Sequence, residues 1–189
     1  FFTDPLREDS VHAIAQLQAR GIECVIVSGD SETSVAQTAN MLGINQYHAR
    51  SLPEDKQAYV ASLQQMGKRV AMAGDGINDA PALALADVSF AMGSGTDVAV
   101  SSADVALMRN SISGVADAVA VSHATLRNIK QNLFWAFAYN VVSIPIAAGA
   151  LYPITGELLN PMIAGAAMAL SSVTVASNAN RLRWAVLKT

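Results

Sequence analysis

Over the first two-thirds of the chain, short apolar runs alternate with stretches in which apolar residues recur every three or four positions. Val11, Ile14, Ala15 and Leu17 share one helical face between Asp9 and Arg20, and Gly21 closes that pattern. β-Branched residues dominate Glu23 to Ser28, which reads as a strand ending in Ser28-Gly29-Asp30. Ser31 to Leu42 reads as a second helix stopped by Gly43, Tyr47 to Arg50 as a short strand, and Pro53 to Met66 as a third helix. A strand over Arg69 to Ala73, a short helix from about Asn78, and strands over Val88 to Met92 and Val105 to Met108 complete the series. Strands alternating with helices predict an α/β fold, a Rossmann-like doubly wound parallel sheet. Such sheets bind ligands beyond the carboxyl ends of their strands. Ser28-Gly29-Asp30 and Gly74-Asp75-Gly76 both follow strands directly, so both fall where chemistry is expected.

From Ser111 the pattern changes to one long helical stretch through Asn132. Gln131 to Gly156 is a run of 26 residues without a charge, and Leu158 to Asn180 is another of 23. About 20 predominantly apolar residues span a bilayer, so two spans are predicted, over about 132–152 and 160–179, forming a transmembrane hairpin. Arg127 and Lys130 precede the first span, Arg181, Arg183 and Lys188 follow the second, and the connecting loop carries only Glu157. Positive flanks at both outer ends place the globular part and the C-terminal tail in the cytoplasm. Trp135, Tyr152 and Trp184 suit the two interfaces. The chain thus divides into a globular domain over 1–126 and a membrane portion over 127–189.

Charge sharpens this division. Residues 1–126 hold 7 basic and 14 acidic side chains (7 − 14 = −7), residues 127–189 hold 5 and 1 (5 − 1 = +4), and the sum is the overall −3. Only 14% of residues are charged, against roughly 25% in an ordinary soluble domain. No basic patch with interleaved aromatics points to nucleic acid. Cys24 is the one cysteine, which excludes a disulfide framework, and its apolar run predicts an inert buried thiol. His12, His48 and His123 lack the spacing of a metal site. The opening Phe1-Phe2-Thr3-Asp4 has no methionine and reads as the middle of a strand, so the chain is expected to be a fragment of something larger.

The candidate chemistry concentrates in Gly74-Asp75-Gly76-Ile77-Asn78-Asp79. Glycines let backbone approach a phosphate, and Asp75 is a hard oxygen ligand suited to Mg²⁺. Asn78 and Asp79 open the next helix within reach of the same place. Lys56, in Pro53-Glu54-Asp55-Lys56, supplies an ammonium suited to phosphoryl oxygens. The Ser28 hydroxyl and the Gly29 amide are hydrogen-bond donors for such an oxygen. These are the positioning and electrostatic parts of phosphoryl transfer.

The order strand–Ser-Gly-Asp, Pro-x-x-Lys, strand–Gly-Asp-Gly-x-Asn-Asp resembles the haloacid dehalogenase superfamily, and within it the phosphorylation domain of P-type ATPases. Asp4-Pro5-Leu6-Arg7 looks like the segment those pumps place near nucleotide. The resemblance implies that Asp75 coordinates Mg²⁺ with Asp79 in support, and that Asn78 and Lys56 contact the phosphoryl group. It further implies that Ser28, Gly29, Asp30, Gly74 and Gly76 line the site, with Asp4 and Arg7 nearer the ATP. Ser28 stands where the family usually has threonine, which keeps the hydroxyl. The Asp-Lys-Thr-Gly-Thr segment bearing the phosphorylated aspartate is absent from this chain. So are the nucleotide-binding and actuator domains and the earlier membrane helices, and the fragment alone is expected to be inactive.

Neither predicted span carries Asp, Glu, Lys, Arg or His. The polar candidates are Tyr139 and Asn140 in the first, and Met168, Ser171 and Ser172 in the second, the last three at spacings that share a helix face. A thioether is a soft ligand suited to Cu(I), whereas serine and small residues such as Gly165 are also ordinary helix-packing material. Pro145 is a candidate kink. Tyr139-Asn140, Pro145, Met168-x-x-Ser171-Ser172 and Asn180-Arg181-Leu182 are similar to the last two helices of the Cu(I)-exporting branch of these pumps. That resemblance implies copper as cargo, a Cys-Pro-Cys helix elsewhere in the pump, an optional copper chaperone as partner, and residence in a bacterial inner membrane. Three alternatives stay open: a soluble Mg²⁺-dependent phosphatase of the same superfamily, a P-type ATPase for another heavy metal, and a non-catalytic membrane-anchored binding module.

Overall fold

The computed structural model describes residues 8–74, 77–93, 100–101, 103–150, 152–156 and 161–186. The chain divides into two units, Phe1–Ala118 and Val119–Thr189.

The first unit is built from α1 (Glu8–Ala19), β1 (Val25–Val27), α2 (Glu32–Leu42), β2 (Gln46–His48), α3 (Pro53–Gln65), β3 (Ala71–Gly74), α4 (Ala80–Leu85), β4 (Val88–Ala91) and β5 (Val105–Ala106). A 3₁₀ turn, Ile77–Asp79, leads into α4. All five expected strands are present. The reading of them as one sheet is corrected: the described residues form two parallel sheets, β1–β2 and β3–β4–β5. Val25 lies opposite Gln46, Ala71 opposite Val88, and Phe90 opposite Val105. Apolar alternation specifies that each strand must bury a face, but it does not choose which strand becomes its neighbour. Ser31 caps α2 by accepting the Ser34 N–H, and Gly43 ends that helix in the left-handed region at φ 66°. The core collects Ile14 and Leu17 of α1, Val35 and Ala39 of α2, Val60 of α3, Leu83 of α4 and Phe90 of β4, all buried. These are the apolar positions of the helical and strand periodicities, so local pattern and packing agree.

The second unit is helical. The long helix α5 (Ser113–Ala147) begins in the first unit and continues into the second, followed by a single turn, α6 (Tyr152–Thr155), and by α7 (Pro161–Val186). The separate helix expected over 111–132 and the first expected span are thus one helix. It stops earlier than expected, at Ala147, because Gly149 takes φ 92° and closes a left-handed C-terminal turn, its N–H reaching Ile146 O at 3.1 Å. Pro145 lies within that last turn. Only residues 131–147 of the uncharged run are therefore in α5. In α7, Ser171, Ser172, Thr174, Ser177, Asn178 and Asn180 interrupt the apolar sequence. Among the described residues no helix is long and apolar enough to cross a membrane. The expected pair of spans is thus not confirmed among the described residues.

Candidate active site

Lys56 and Asp79 come together although 23 positions separate them. Pro53 occupies the first position of α3, and the Asp55 carboxylate accepts the Leu52 N–H at 2.8 Å, fixing where the helix starts. One turn in, Lys56 Nζ donates to Asp79 Oδ1 at 2.7 Å, with the two side chains only 15% and 12% exposed. A charge-assisted bond of that length between largely buried groups is a strong contact. The carboxylate lies against the end of β3. A Cβ on Gly74 would sit 2.7 Å from Asp79 Cβ and Oδ2, closer than any real contact, so only glycine leaves room for it. Asn78, in the same 3₁₀ turn, is exposed. Asp75 and Gly76 lie outside the described residues, as do Asp4 and Arg7. Among the described residues no three His, Cys, Asp or Glu side chains cluster as a metal site.

The Ser28-Gly29-Asp30 turn follows β1 as expected. Its backbone is held on both sides: Ser28 N–H donates to His48 O at 2.9 Å, Ser51 N–H to Ser28 O at 2.9 Å, and Arg50 N–H to Asp30 O at 2.9 Å. Arg50 itself takes a positive φ of 54°, rare for a residue with a Cβ. The turn is thereby tied to the loop that leads into α3 and Lys56. The Ser28 hydroxyl donates to Asp30 Oδ2 at 3.0 Å and accepts the Asp30 N–H at 3.2 Å. At Gly29 an added Cβ would meet Ser51 O at 3.5 Å, an ordinary contact, so packing does not demand glycine there.

In the helical unit, Tyr139 and Ser171 are half-buried, while Asn140 and Ser172 are exposed. Asn140 turns its amide onto Ala136 O at 3.0 Å. The Met168 side chain is outside what is described.

Two supporting carboxylates were missed in the sequence although a signal for them exists. The triplet Ala-Asp-Val occurs twice, at 86–88 and 103–105, each time at the start of a strand. Asp87 accepts the Val70 N–H at 2.9 Å and bonds to Arg69 at 3.0 Å and Gln64 at 3.3 Å. The Val70 amide above all, then Gln64 and Arg69, holds the Asp87 carboxyl below its ordinary range. Asp104 accepts both the N–H and the hydroxyl of Ser89 at 2.9 Å, and Ser89 Oγ accepts the Asp104 N–H at 3.0 Å. Each aspartate thus anchors a neighbouring strand at the start of its own. Cys24 is half-buried, and burial pushes its thiol up, in keeping with an unreactive role. On the surface Glu23 and Lys68 pair at 2.8 Å, which lowers the carboxyl and raises the ammonium.

Two haloacid dehalogenase-like hydrolase families match the chain, one over residues 1–87 and the other over residues 56–119. Over 182 residues, 96% of the chain, it is 58% identical to a copper-exporting P-type ATPase of Vibrio cholerae serotype O1. The chain belongs to the P-type ATPases. A copper-exporting P-type ATPase of Legionella pneumophila is 53% identical over 184 residues, 97% of the chain. The crystal structure of a zinc-transporting PIB-type ATPase in its E2.Pi state superposes on 95% of the chain with a TM-score of 0.79 at 39% identity. The chain spans 20% and 25% of the length of the two curated relatives and 28% of the zinc-transporting protein.

Proposed function

We propose that this chain is the C-terminal part of an ATP-driven pump that exports Cu(I) through a phosphoaspartate intermediate. Residues 1–126 would be part of the phosphorylation domain and 127–189 the last two membrane helices. The observation that carries the reading is the Lys56–Asp79 pair seated on Gly74 at the carboxyl end of β3. A cation held by a carboxylate at the carboxyl end of a parallel strand supports a role in handling a phosphoryl group.

Each residue then has a task. The Lys56 ammonium, oriented by Asp79, neutralises charge developing on the phosphoryl oxygens. Ser28 Oγ–H and the Gly29 N–H donate to one of those oxygens, and Asn78, exposed beside the pair, to another. Asp75 with Asp79 would supply oxygen donors that suit Mg²⁺, and the close seat on Gly74 keeps the Asp79 carboxylate at that end of the strand. Magnesium, when bound there, adds positive charge to the same oxygens. Asp4 and Arg7 would face ATP. The aspartate that takes the phosphoryl group, the nucleotide-binding and actuator domains and a Cys-Pro-Cys helix would come from the rest of the pump.

Copper is favoured over zinc as cargo by the identity to copper-exporting relatives and by the soft thioether of Met168 among otherwise neutral candidates Tyr139, Asn140, Ser171 and Ser172. Residence in lipid is favoured by the helical unit's own surface. Leu133, Phe134, Phe137, Val141 and Val142 on α5, and Leu170 and Val173 on α7, are exposed. Contiguous apolar surface of that extent needs lipid or partner helices to cover it. The globular part and the C-terminus would face the cytoplasm of a bacterial inner membrane, and a copper chaperone could deliver the ion.

The test is made on the intact protein containing this chain. Asp75→Asn should abolish Mg²⁺-dependent phosphoenzyme formation from ATP, and normal phosphoenzyme in that variant would sink the reading. Met168→Ala should weaken Cu(I)-stimulated turnover while phosphorylation by inorganic phosphate persists. If zinc rather than copper stimulates the parent protein, the cargo assignment fails while the pump reading stands.

A further inference from the structure

Three asparagines form a closed ring between the two long helices. Asn178 Nδ2 on α7 donates to Asn132 Oδ1 on α5 at 2.8 Å, Asn132 Nδ2 donates to Asn128 Oδ1 at 3.1 Å, and Asn128 Nδ2 donates to the Asn178 carbonyl oxygen at 2.7 Å. The ring crosses the helix pair twice.

Its position on the two helices matters more than its strength. Between 126 and 147 the half-buried residues of α5 are 128, 132, 136, 138, 139, 143 and 146, and the described half-buried residues of α7 are 171, 175 and 178. These sets recur at three- and four-residue steps, as two facing stripes do. At about 100° per residue, Tyr139 lies within about 20° of Asn132 around α5, and Ser171 within about 20° of Asn178 around α7. Asn140 and Ser172 are rotated about 80° and about 120° away from the same references, and both are exposed. A shift of α7 by one residue would turn it by about 100° and move it about 1.5 Å along its axis. That shift would break both interhelical bonds at once and carry Ser171 off the seam. A single polar residue in an apolar seam is a known device for fixing helix register.

We propose that Asn128, Asn132 and Asn178 are positioning residues that set the register and rotation of the two helices, and thereby decide that Tyr139 and Ser171 face each other across the seam. This rests on the reading of the pair as the ion-carrying helices of the pump. The ring does not touch the ion. It determines which candidate ligands meet.

Two measurements on the intact protein test it. First, Asn132→Leu and Asn178→Leu should each raise the Cu(I) concentration for half-maximal phosphorylation from ATP by about three- to ten-fold, the range of one to a few interhelical hydrogen bonds in a membrane. The double variant should be no worse than the poorer single one, Asn178→Gln should recover part of the loss, and phosphorylation by inorganic phosphate should persist in all of them. Unchanged copper dependence in both single variants, or effects that simply add, would overturn the proposal. Second, Asn132→Cys with Asn178→Cys, in a Cys24→Ser background, should form a disulfide-linked peptide pair on mild oxidation in membranes, since the two side chains already touch. Failure to crosslink overturns the clamp whatever the activity. A parent protein without metal-stimulated phosphorylation overturns the pump reading instead, and the crosslink still decides the clamp.

Discussion

The two units of this chain solve the burial problem in opposite ways. The first gathers apolar side chains from α1 to α4 and from β4 into a core in which Leu83 is 1% exposed. In the second, none of the described residues is buried, and Phe134 is 64% exposed on a helix of 35 residues. Average hydrophobicity does not explain the contrast, because the less buried unit is the more apolar one. What differs is where the polar groups go. In the first unit they sit at strand ends and helix starts, where Asp87, Asp104 and Asp55 satisfy backbone N–H groups. In the second, Asn128, Asn132 and Asn178 bond across the seam between two helices, and large apolar side chains are exposed. A globular core is closed by water, whereas an outward apolar surface is closed by lipid or by other helices.

Core truncation gives the largest expected break in this comparison. Leu83→Ala should cost the first unit about 3 kcal/mol through lost transfer energy and a residual cavity. The chemically identical change Leu133→Ala should shift unfolding in detergent by less than about 0.5 kcal/mol, as exposed positions usually do. Chemical unfolding followed by circular dichroism separates the two, and equal losses would mean that the second unit has a core of its own. Next comes the ion pair. Lys56→Ala leaves the Asp79 carboxylate without its partner and should cost about 3 kcal/mol, the low end for a broken buried pair because both groups still touch water. An unshifted denaturation midpoint would mean that water replaces Lys56 without loss. The smallest effect is the pH dependence at Asp87. Its carboxyl is held below the ordinary 3.8 in the folded chain, so the stabilisation it gives is present above that pH. It is lost as pH falls through the lower folded value. Asp87→Asn should therefore lower stability near neutral pH and cease to matter in strong acid. A difference that grows on acidification would contradict the sign.

Much of the first unit was legible because its periodicities are local. Gly21, Gly43 and Pro53 punctuate the helices where expected, and each apolar run became a strand within a residue or two. The candidate site was legible as a set of residue types: Lys56, Gly74 and Asp79 all suit phosphoryl chemistry, and Asp79 bonds to Lys56 and lies against Gly74. The two carboxylates at the Ala-Asp-Val triplets escaped notice because an aspartate before a strand looks like loop polarity until its acceptor role is visible. The length of α5 was misread because a helix end depends on one backbone rotation, at Gly149, and not on the absence of charge.

What the sequence by itself determined is therefore the order of helices and strands, the acidic and basic halves, and the residue types of a candidate phosphoryl site. Short-range periodicity and chemistry suffice for these. Only the tertiary structure decided that the strands pair as two sheets, that Lys56 bonds to an Asp79 seated against Gly74, and that three asparagines bond between two helices. Those outcomes depend on contacts between residues from 15 to 50 positions apart, and no local pattern encodes which distant partner a group will find.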